Sequence, residues 1–204
     1  MLSGLSGRFV DTAQAQGGPV EGRDFVRLDK PMAVTPGKVE VVEFFGYWCP
    51  HCHAFEPTLD AWVRKLPAAQ VNFRRISVAF NGAQEPIQRM YFALEALDLV
   101  DSLHGKVFAA IHQSRTLPGA PKESDIAAFL KAQGADSAKV LETMKSFAVA
   151  TKLRQARQLS EAYAIDGVPT LGVQGRWRTS PGMAGSHERA LAVVDMLIDK
   201  ARKA

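Results

Sequence analysis

The sequence of 204 residues contains only two cysteines, and both lie in the stretch Cys49-Pro50-His51-Cys52. It has no apolar run near the roughly 18 residues needed to cross a bilayer, no run of like charges and no glycine-rich phosphate loop. The 25 Lys and Arg are interspersed with 21 Asp and Glu. These absences argue against a membrane span, a nucleic-acid-binding face and a bound nucleotide.

The first 22 residues are rich in Gly, Ser and Gln and have no helical or strand periodicity. We therefore expect residues 1–22 to be a disordered tail or a processing remnant. Ala13-Gln14-Ala15 resembles a signal-peptidase box, but the basic and apolar regions that normally precede such a box are missing. The tail alone therefore does not indicate export.

Hydrophobic patterning predicts a β-α-β unit around the cysteines. Residues 24–28 alternate as in an edge strand, and residues 39–45 (VEVVEFF) are typical of a strand buried on both faces. Pro50 favours the first turn of a helix, and residues 71–78 predict the next strand. An apolar stripe at helical spacing begins at Cys52, so this helix should pack against the sheet.

A helical block follows the β-α-β unit. Helical periodicity covers residues 86–97, 100–113, 124–133 and 137–164. We expect breaks at Gly105, in the segment 117–121 and at Gly134, with Ser124 and Ser137 as N-caps.

The C-terminal part predicts a hairpin and a last helix. Residues 170–173 and 176–179 flank the turn Gln174-Gly175, and Ser186 begins an amphipathic helix. The order of elements predicts an α/β, thioredoxin-like fold with an inserted all-helical domain. The thioredoxin-like domain would comprise residues 23–82 and 165–204, and the helical insertion residues 83–164.

The cysteine pair could be part of a metal site, a structural disulfide or a redox pair. A structural zinc site needs four ligands, and the other candidates are the histidines His51, His53, His104, His112 and His187. The two histidines nearest the cysteines cannot converge with both sulfurs at a helix start, so we expect no metal. A Cys49–Cys52 disulfide closes easily, but its small loop stabilises the fold little. A bridge that opens and closes is therefore favoured.

The two sulfurs should differ. Cys52 lies on the apolar stripe and should face inward, whereas Cys49 should be exposed at the helix tip, where free N–H groups and the helix dipole favour an anion. Because the thiolate is the reactive form, Cys49 is predicted to be the nucleophile and Cys52 the resolving thiol. His51 could add a hydrogen bond or positive charge, or could be an ordinary surface residue.

The stretch FFGYWCPHCHAFEP, which begins within VEVVEFF and is followed about 115 residues later by DGVPT, resembles the DsbA family of bacterial periplasmic thiol–disulfide oxidoreductases. The resemblance extends from about Asp24 to the C-terminus. Thioredoxins typically carry CGPC and lack a large helical insertion. The resemblance implies a periplasmic protein that donates a disulfide to reduced, unfolded, newly exported proteins. It also implies re-oxidation by a DsbB-type membrane quinone reductase, no cofactor and, we expect, a monomer.

The resemblance also implies roles for residues outside the CPHC stretch. Val168-Pro169 would be a cis-proline loop that faces the disulfide and receives extended substrates. Glu43 would be a buried acid whose basic partner is Arg75, with Arg74 as the neighbouring candidate; alternatively, Glu43 is near the strand end and hydrated. The stretch 46–48 (GYW) could bind peptide or belong to the core.

Pro50 and His51 are predicted to set the direction of electron flow. Stabilising the Cys49 thiolate stabilises the reduced protein and makes the disulfide a stronger oxidant. DsbA is itself the known example of a strongly lowered cysteine pKa, which is ~3.5 against ~7 in thioredoxin. At pH 7 these values correspond to roughly 4 kcal/mol, or on the order of 90 to 100 mV toward oxidation.

Three functions stay open at this point. A disulfide donor is favoured over a disulfide isomerase or a reductant of the thioredoxin superfamily, because the 22-residue tail is too short for the dimerisation domain of dimeric isomerases. A peptide-binding module with an inactive CPHC is the alternative outside the redox class.

Overall fold

The computed structural model describes residues 17–203, and its centre is a five-stranded sheet in the order β1-β5-β4-β2-β3. The strands are β1 Val26–Arg27, β2 Val39–Phe45, β3 Val71–Ser77, β4 Thr170–Val173 and β5 Trp177–Thr179. Strand β2 pairs parallel with β3 and antiparallel with β4. All of its residues except Glu40 are buried, as expected for an apolar strand covered on both faces.

Eight α-helices surround the sheet within the described residues 17–203. They are α1 Pro50–Val63, α2 Glu85–Ala96, α3 Val100–His112, α4 Glu123–Ala132, α5 Ser137–Met144, α6 Phe147–Ala162, α7 Pro181–Ala184 and α8 His187–Arg202. Helices α2 to α6 lie between β3 and β4 in chain order. The fold is therefore thioredoxin-like with inserted helices, as predicted, while the proposed boundaries of the two domains stay a prediction.

The sheet separates two hydrophobic clusters. Val39 and Val41 of β2 enter one cluster and Val42 and Phe44 the other, because successive side chains of a strand point to opposite faces. Phe45, at the end of the strand, also joins the second cluster. Val41 packs with Phe55 of α1 and with α8, whereas Phe44 belongs to the cluster formed with the inserted helices. Helix α1 thereby contributes Phe55 to one cluster and Cys52 to the other.

Several sequence predictions about the helical block are wrong. Residues 137–164 form two helices, because the Ser146 hydroxyl accepts a hydrogen bond from the Val149 N–H at 3.2 Å and starts α6. The N-cap of α5 is Asp136, not Ser137.

Two further predictions about these helices are also wrong. The N-cap of α4 is Lys122, whose N–H donates to the Asp125 carboxylate at 2.8 Å, and not Ser124. Helix α3 continues through Gly105 without a break.

The predicted N-terminal tail is wrong for residues 20–22. The N–H of Val20 donates to the Asp24 carboxylate at 2.8 Å, and Gly22 donates to the Phe25 carbonyl at 2.8 Å, so these residues form a hydrogen-bonded turn. The rest of the predicted tail up to residue 16, including the AQA stretch at 13–15, lies outside the described residues. Among residues 17–203, no helix has both the length and the apolar character to cross a membrane.

Gly172 of β4 is packed directly against the Tyr163 ring, which a Cβ atom at this position would overlap. We expect Gly172→Ala to lower the free energy of unfolding by about 1–3 kcal/mol, because the buried ring has little room to move. Gly105→Ala is the matched control: its Cβ would meet nothing within 4 Å, and we expect it to stabilise α3 by about 1 kcal/mol. Urea unfolding of both variants should show a lower free energy of unfolding for Gly172→Ala and a higher one for Gly105→Ala.

Candidate active site

Cys49 is the N-cap of α1 and lies directly after the turn that follows β2. Its backbone is extended, with φ −90° and ψ 117°, and its sulfur accepts a hydrogen bond from the Cys52 N–H at 3.4 Å. Pro50 occupies the first turn of α1, where a missing N–H costs no hydrogen bond. Both cysteines carry free thiols. The predicted strand–turn–helix context of CPHC is therefore present.

The expectation that Cys49 is exposed is wrong: only 4% of its surface is accessible. Its thiol lies 3.3 Å from the Val168 carbonyl oxygen, to which it donates a hydrogen bond. The Val168–Pro169 peptide bond is cis, as the family resemblance implied. The loop before β4 thus lies against the sulfur that the sequence predicted to be reactive. Cys52 is completely buried, as expected.

The two thiols have opposite pKa shifts. The pKa of Cys49 is lowered to about 6, chiefly by a hydrogen bond from the Cys52 thiol; burial opposes this, and the N–H groups of Cys52 and His51 and the charge of His51 reinforce it. The pKa of Cys52 is raised, first by burial and then by the Cys49 sulfur and the charge of Glu43. Cys49 is therefore the thiol that ionises first.

Glu43 is completely buried and pairs with Arg75, as predicted. The Arg75 Nε lies 3.0 Å from Glu43 Oε2. Arg74 instead pairs with Glu40 at 3.2 Å. The second carboxylate oxygen of Glu43 has no hydrogen-bond partner among the described residues. Glu43 is therefore not the hydrated residue of the alternative interpretation.

Arg75 is shared with two acids of α1 that the sequence analysis did not single out. Its Nη2 atom lies 2.6 Å from Glu56 Oε1 and 2.6 Å from Asp60 Oδ1. Glu56 also lies 3.1 Å from the His104 Nε2 atom of α3. The sequence contained one signal for this arrangement. Glu56 and Asp60 are four residues apart, so they lie on the same face of α1, and Glu56 is next to the buried Phe55.

Three carboxylates around one guanidinium cannot all be neutralised by it. Burial, and then the charge of Glu56, raises the pKa of Glu43 to about 8 against the opposing charge and hydrogen bond of Arg75. Burial also opposes ionisation of Glu56, but the polar contact and charge of His104, with Arg75, lower its pKa. Glu43 is therefore the carboxyl of the cluster that takes up a proton most readily.

The aromatic residues before Cys49 have different environments. Tyr47 is fully buried, and its hydroxyl lies 2.8 Å from His104 Nδ1. Trp48 is half-buried, and its Nε1 donates to the Val78 carbonyl at 3.3 Å. Tyr47 is thus a core residue, whereas Trp48 lies at the surface beside the dithiol.

The histidines do not gather around the sulfurs. His51 is exposed, and His53 stacks on His112 with ring centroids 5.2 Å apart and an angle of 12°. The His112 Nε2 atom lies 2.7 Å from the Tyr47 carbonyl oxygen. Among residues 17–203, no group of three His, Cys, Asp or Glu side chains is arranged to hold a metal ion.

Comparison with known protein families gives a match to the DSBA-like thioredoxin domain over residues 40–190. The chain is 42% identical over 184 residues to thiol:disulfide interchange protein DsbA of Pseudomonas aeruginosa, covering 90% of this chain and 86% of that protein. It is 42% identical over 202 residues to the Bordetella pertussis protein of the same name, covering 98% and 93%.

Solved structures give the same result. The P. aeruginosa DsbA crystal structure matches with a TM-score of 0.85 and 40% identity, over 91% of this chain and 95% of that one. The oxidoreductase DsbA from Xylella fastidiosa matches with a TM-score of 0.83 and 30% identity, over 91% and 99%.

Proposed function

This chain belongs to the DsbA-like thioredoxin family, and from that premise we propose that it donates a disulfide to reduced proteins. It is a thiol:disulfide oxidoreductase, and Cys49 and Cys52 form its CxxC pair. The observation that carries the direction is the placement of the Cys49 sulfur at the start of α1, where it accepts the Cys52 N–H. A helix start favours the thiolate and hence the reduced protein.

The energetic effect follows from the pKa of Cys49. Lowering it to about 6 from the ordinary ~8.5 stabilises the reduced form by about 1.4 kcal/mol at pH 7, or about 30 mV. This shift of the reduction potential has the predicted direction, but it is smaller than the roughly 90 to 100 mV that follow from the cysteine pKa values of DsbA and thioredoxin. It supports an oxidant rather than a reductant.

The proposed cycle uses only the two cysteines. A substrate thiolate attacks the Cys49 sulfur of the oxidised protein, the Cys49–Cys52 bond breaks, and Cys52 leaves with the electron pair and takes up a proton. A second substrate thiolate then attacks the substrate sulfur of the mixed disulfide, and Cys49 leaves as a thiolate. The low pKa of Cys49 makes it a good leaving group in this step.

The other predicted residues are assigned supporting roles. Pro50 and His51 tune the Cys49 thiolate, Glu43 and Arg75 set the charge beneath Cys52, and Val168-Pro169 receives the substrate backbone. Support comes from the contacts of Val168 with Cys49 and of Glu43 with Arg75.

The family suggests unfolded, reduced proteins as substrates, a DsbB-type membrane quinone reductase as the re-oxidising partner, and the periplasm as the compartment. We also propose a monomer and the division into residues 23–82 with 165–204 and residues 83–164. These proposals rest on family membership and on the order of the elements.

Two assays test the function. The oxidised protein should form disulfides in a reduced, unfolded cysteine protein, whereas a disulfide isomerase would mainly reshuffle a scrambled one. A peptide-binding module would do neither, and reduction of an intact disulfide protein as the dominant activity would reverse the proposed direction.

The pH dependence of alkylation tests the Cys49 thiolate. Because the pKa of Cys49 is about 6, the alkylation rate of the reduced protein should rise about tenfold per pH unit below 6 and level off above about 7. Cys52→Ser should keep one titrating thiol, although loss of the Cys52 hydrogen bond should raise its pKa. A rate that still rises steeply through pH 8 would contradict the lowered pKa.

A further inference from the structure

A cavity of about 680 Å³ lies between the loop after β3 and the last helix of the inserted block. One wall is the segment 78–82 with the start of α2, and the other is a face of α6 that runs from Ala150 to Glu161, followed by Ala164 and Ile165 beyond the helix end. None of the residues in the proposed redox chemistry lines this cavity. Its size is in the range of sites that enclose a ligand of several hundred daltons.

The cavity adjoins the dithiol at two places. Trp48, directly before Cys49, donates to the carbonyl of the lining residue Val78 at 3.3 Å. The Trp48 ring packs edge-on against Phe80, with centroids 5.6 Å apart, and Phe80 is 48% exposed. A chain whose cysteine is at the Cys49 sulfur could therefore continue over this aromatic pair into the cavity.

The other end of the cavity reaches the cis-proline loop. The lining residue Ile165 precedes by three positions Val168, whose carbonyl contacts the Cys49 thiol at 3.3 Å. The same loop that faces the sulfur is thus continuous with the cavity wall. This continuity suggests that both surfaces serve one ligand.

The lining of the cavity carries a net positive charge. Of its three arginines, Arg89 is neutralised by Glu85, with Nη2 and Oε1 2.7 Å apart. Arg154 and Arg157 are exposed, and neither forms an ion pair with a described residue, although Arg154 donates to a threonine hydroxyl at 2.8 Å. The one remaining acid of the lining is Glu161. Among the lining residues, arginines without an ion pair therefore exceed carboxylates without one by one.

We propose that this cavity binds an acidic segment of the reduced substrate, with Arg154 and Arg157 pairing with its carboxylates. The inference rests on the proposed function, because the substrate cysteine at Cys49 places the segment. Guanidinium groups suit carboxylates because their fixed N–H groups match two oxygens. The ring of the lining residue Phe80, 48% accessible, offers an apolar contact, and the 81% accessible ring of Phe147, outside the lining, lies 5.6 Å from the Arg154 guanidinium carbon.

The position of the carboxylates relative to the cysteine follows from helix and strand dimensions. At 1.5 Å per residue, the segment of α6 from Arg154 to its end at Ala162 is about 12 Å long. An extended peptide covers about 3.3 Å per residue. This length alone equals about four extended residues, so we place the acidic residues of the test peptides roughly four to seven positions from the cysteine, with four as the lower bound.

Oxidation of matched peptides tests the inference. One peptide carries Asp and Glu at those positions and the other carries Asn and Gln, each made with the cysteine at either end. At low salt, we expect KM of the acidic peptide to be roughly three- to tenfold lower in one of the two orientations. The ratio should fall toward one at 1 M salt, where charges are screened beyond about 3 Å. Equal KM values at low salt in both orientations would overturn the inference.

Paired variants separate the cavity from overall charge. Arg154→Gln/Arg157→Gln should abolish the preference and leave oxidation of the neutral peptide unchanged. The control Arg64→Gln/Lys65→Gln removes two exposed cations at the far end of α1 and should keep the preference. If this control loses the preference equally, general attraction to a basic protein explains it and the inference is wrong.

Binding of peptides with serine in place of cysteine distinguishes this inference from the proposed function. Tighter binding of the acidic serine peptide, lost in Arg154→Gln/Arg157→Gln, supports the site whether or not oxidation occurs. Absence of oxidation for all cysteine peptides would contradict the proposed function alone. Equal binding of acidic and neutral serine peptides would contradict the site alone.

Discussion

Replacement of Cys49 by serine is expected to reduce oxidation of an unfolded, reduced cysteine protein to the uncatalysed rate. The remaining thiol cannot take over, because Cys52 is completely buried and its pKa is raised by burial and by the neighbouring sulfur. The measurement is disulfide formation in the substrate over time, with the oxidised native protein as reference. Substantial activity in Cys49→Ser would contradict the assignment of the nucleophile.

Cys52→Ser is the informative counterpart of this variant. Its Cys49 thiolate should attack a substrate whose single cysteine carries glutathione, displace glutathione as a thiolate and stay joined to the substrate. No second thiol of the protein is left to resolve this bond, so the adduct should accumulate on a non-reducing gel. Cys49→Ser treated in the same way should form no adduct. An adduct at Cys52 would show that the buried thiol is accessible.

The second large effect is expected at Arg75. Arg75→Gln should lower the free energy of unfolding by about 3–5 kcal/mol at pH 7, because it removes the partner of buried carboxylates. The Glu43 side chain is completely buried, and that of Glu56 is 8% exposed. Arg74→Gln is the matched control on the same strand. The side chains of Arg74 and its partner Glu40 are 37% and 17% exposed, so the free energy of unfolding should fall by only about 0–1 kcal/mol.

The pH dependence of this effect has a definite sign. The pKa of Glu43 in the folded protein is about 8 against an ordinary 4.5, so folding takes up a proton between these values and stability falls as pH rises through them. Removing the guanidinium raises the carboxyl pKa values further. The loss in Arg75→Gln should therefore be smaller at pH 5 than at pH 8.

Two double variants separate the buried charge from the loss of packing. Glu56→Gln/Arg75→Gln should recover part of the stability lost in Arg75→Gln, because Glu56 is the buried acid whose pKa is lowered and whose charge loses the Arg75 partner. Glu43→Gln/Arg75→Gln should recover little, because Glu43 with its raised pKa is already neutral without the guanidinium. Chemical unfolding at pH 5 and pH 8 measures the free energy of unfolding of the native protein and of each variant. Equal losses in Arg75→Gln and Arg74→Gln would contradict the importance of burial.

Local sequence patterns predicted most of the fold. The strand 39–45, the helix that starts at Pro50 and the final helix after Ser186 follow from spacing and capping signals confined to a few residues. The α5–α6 boundary was missed because Ser146 interrupts no hydrophobic periodicity and acts only through its hydrogen bond to the N–H of Val149.

The parts of the site that were missed depend on distant residues. Cys49 is covered by a loop 119 positions away in the chain, and no local pattern predicts that contact. The Arg75 cluster joins β2, β3, α1 and α3. An acid next to a buried phenylalanine was visible in the sequence, but its partners were not, because side-chain pairing across elements is set only by the tertiary fold.

The hydrogen bond between the Cys49 thiol and the Val168 carbonyl has a consequence for product release. A disulfide or a thiolate has no hydrogen to donate, so in either state this carbonyl is free to accept an N–H from a bound polypeptide. Once the protein has been reduced, Cys49 is protonated only below its pKa of about 6, and there its own thiol occupies the same carbonyl at 3.3 Å. In the proposed cycle, the spent enzyme therefore competes with its oxidised product for this acceptor in acid solution, whereas at neutral pH the thiolate leaves the carbonyl to the product.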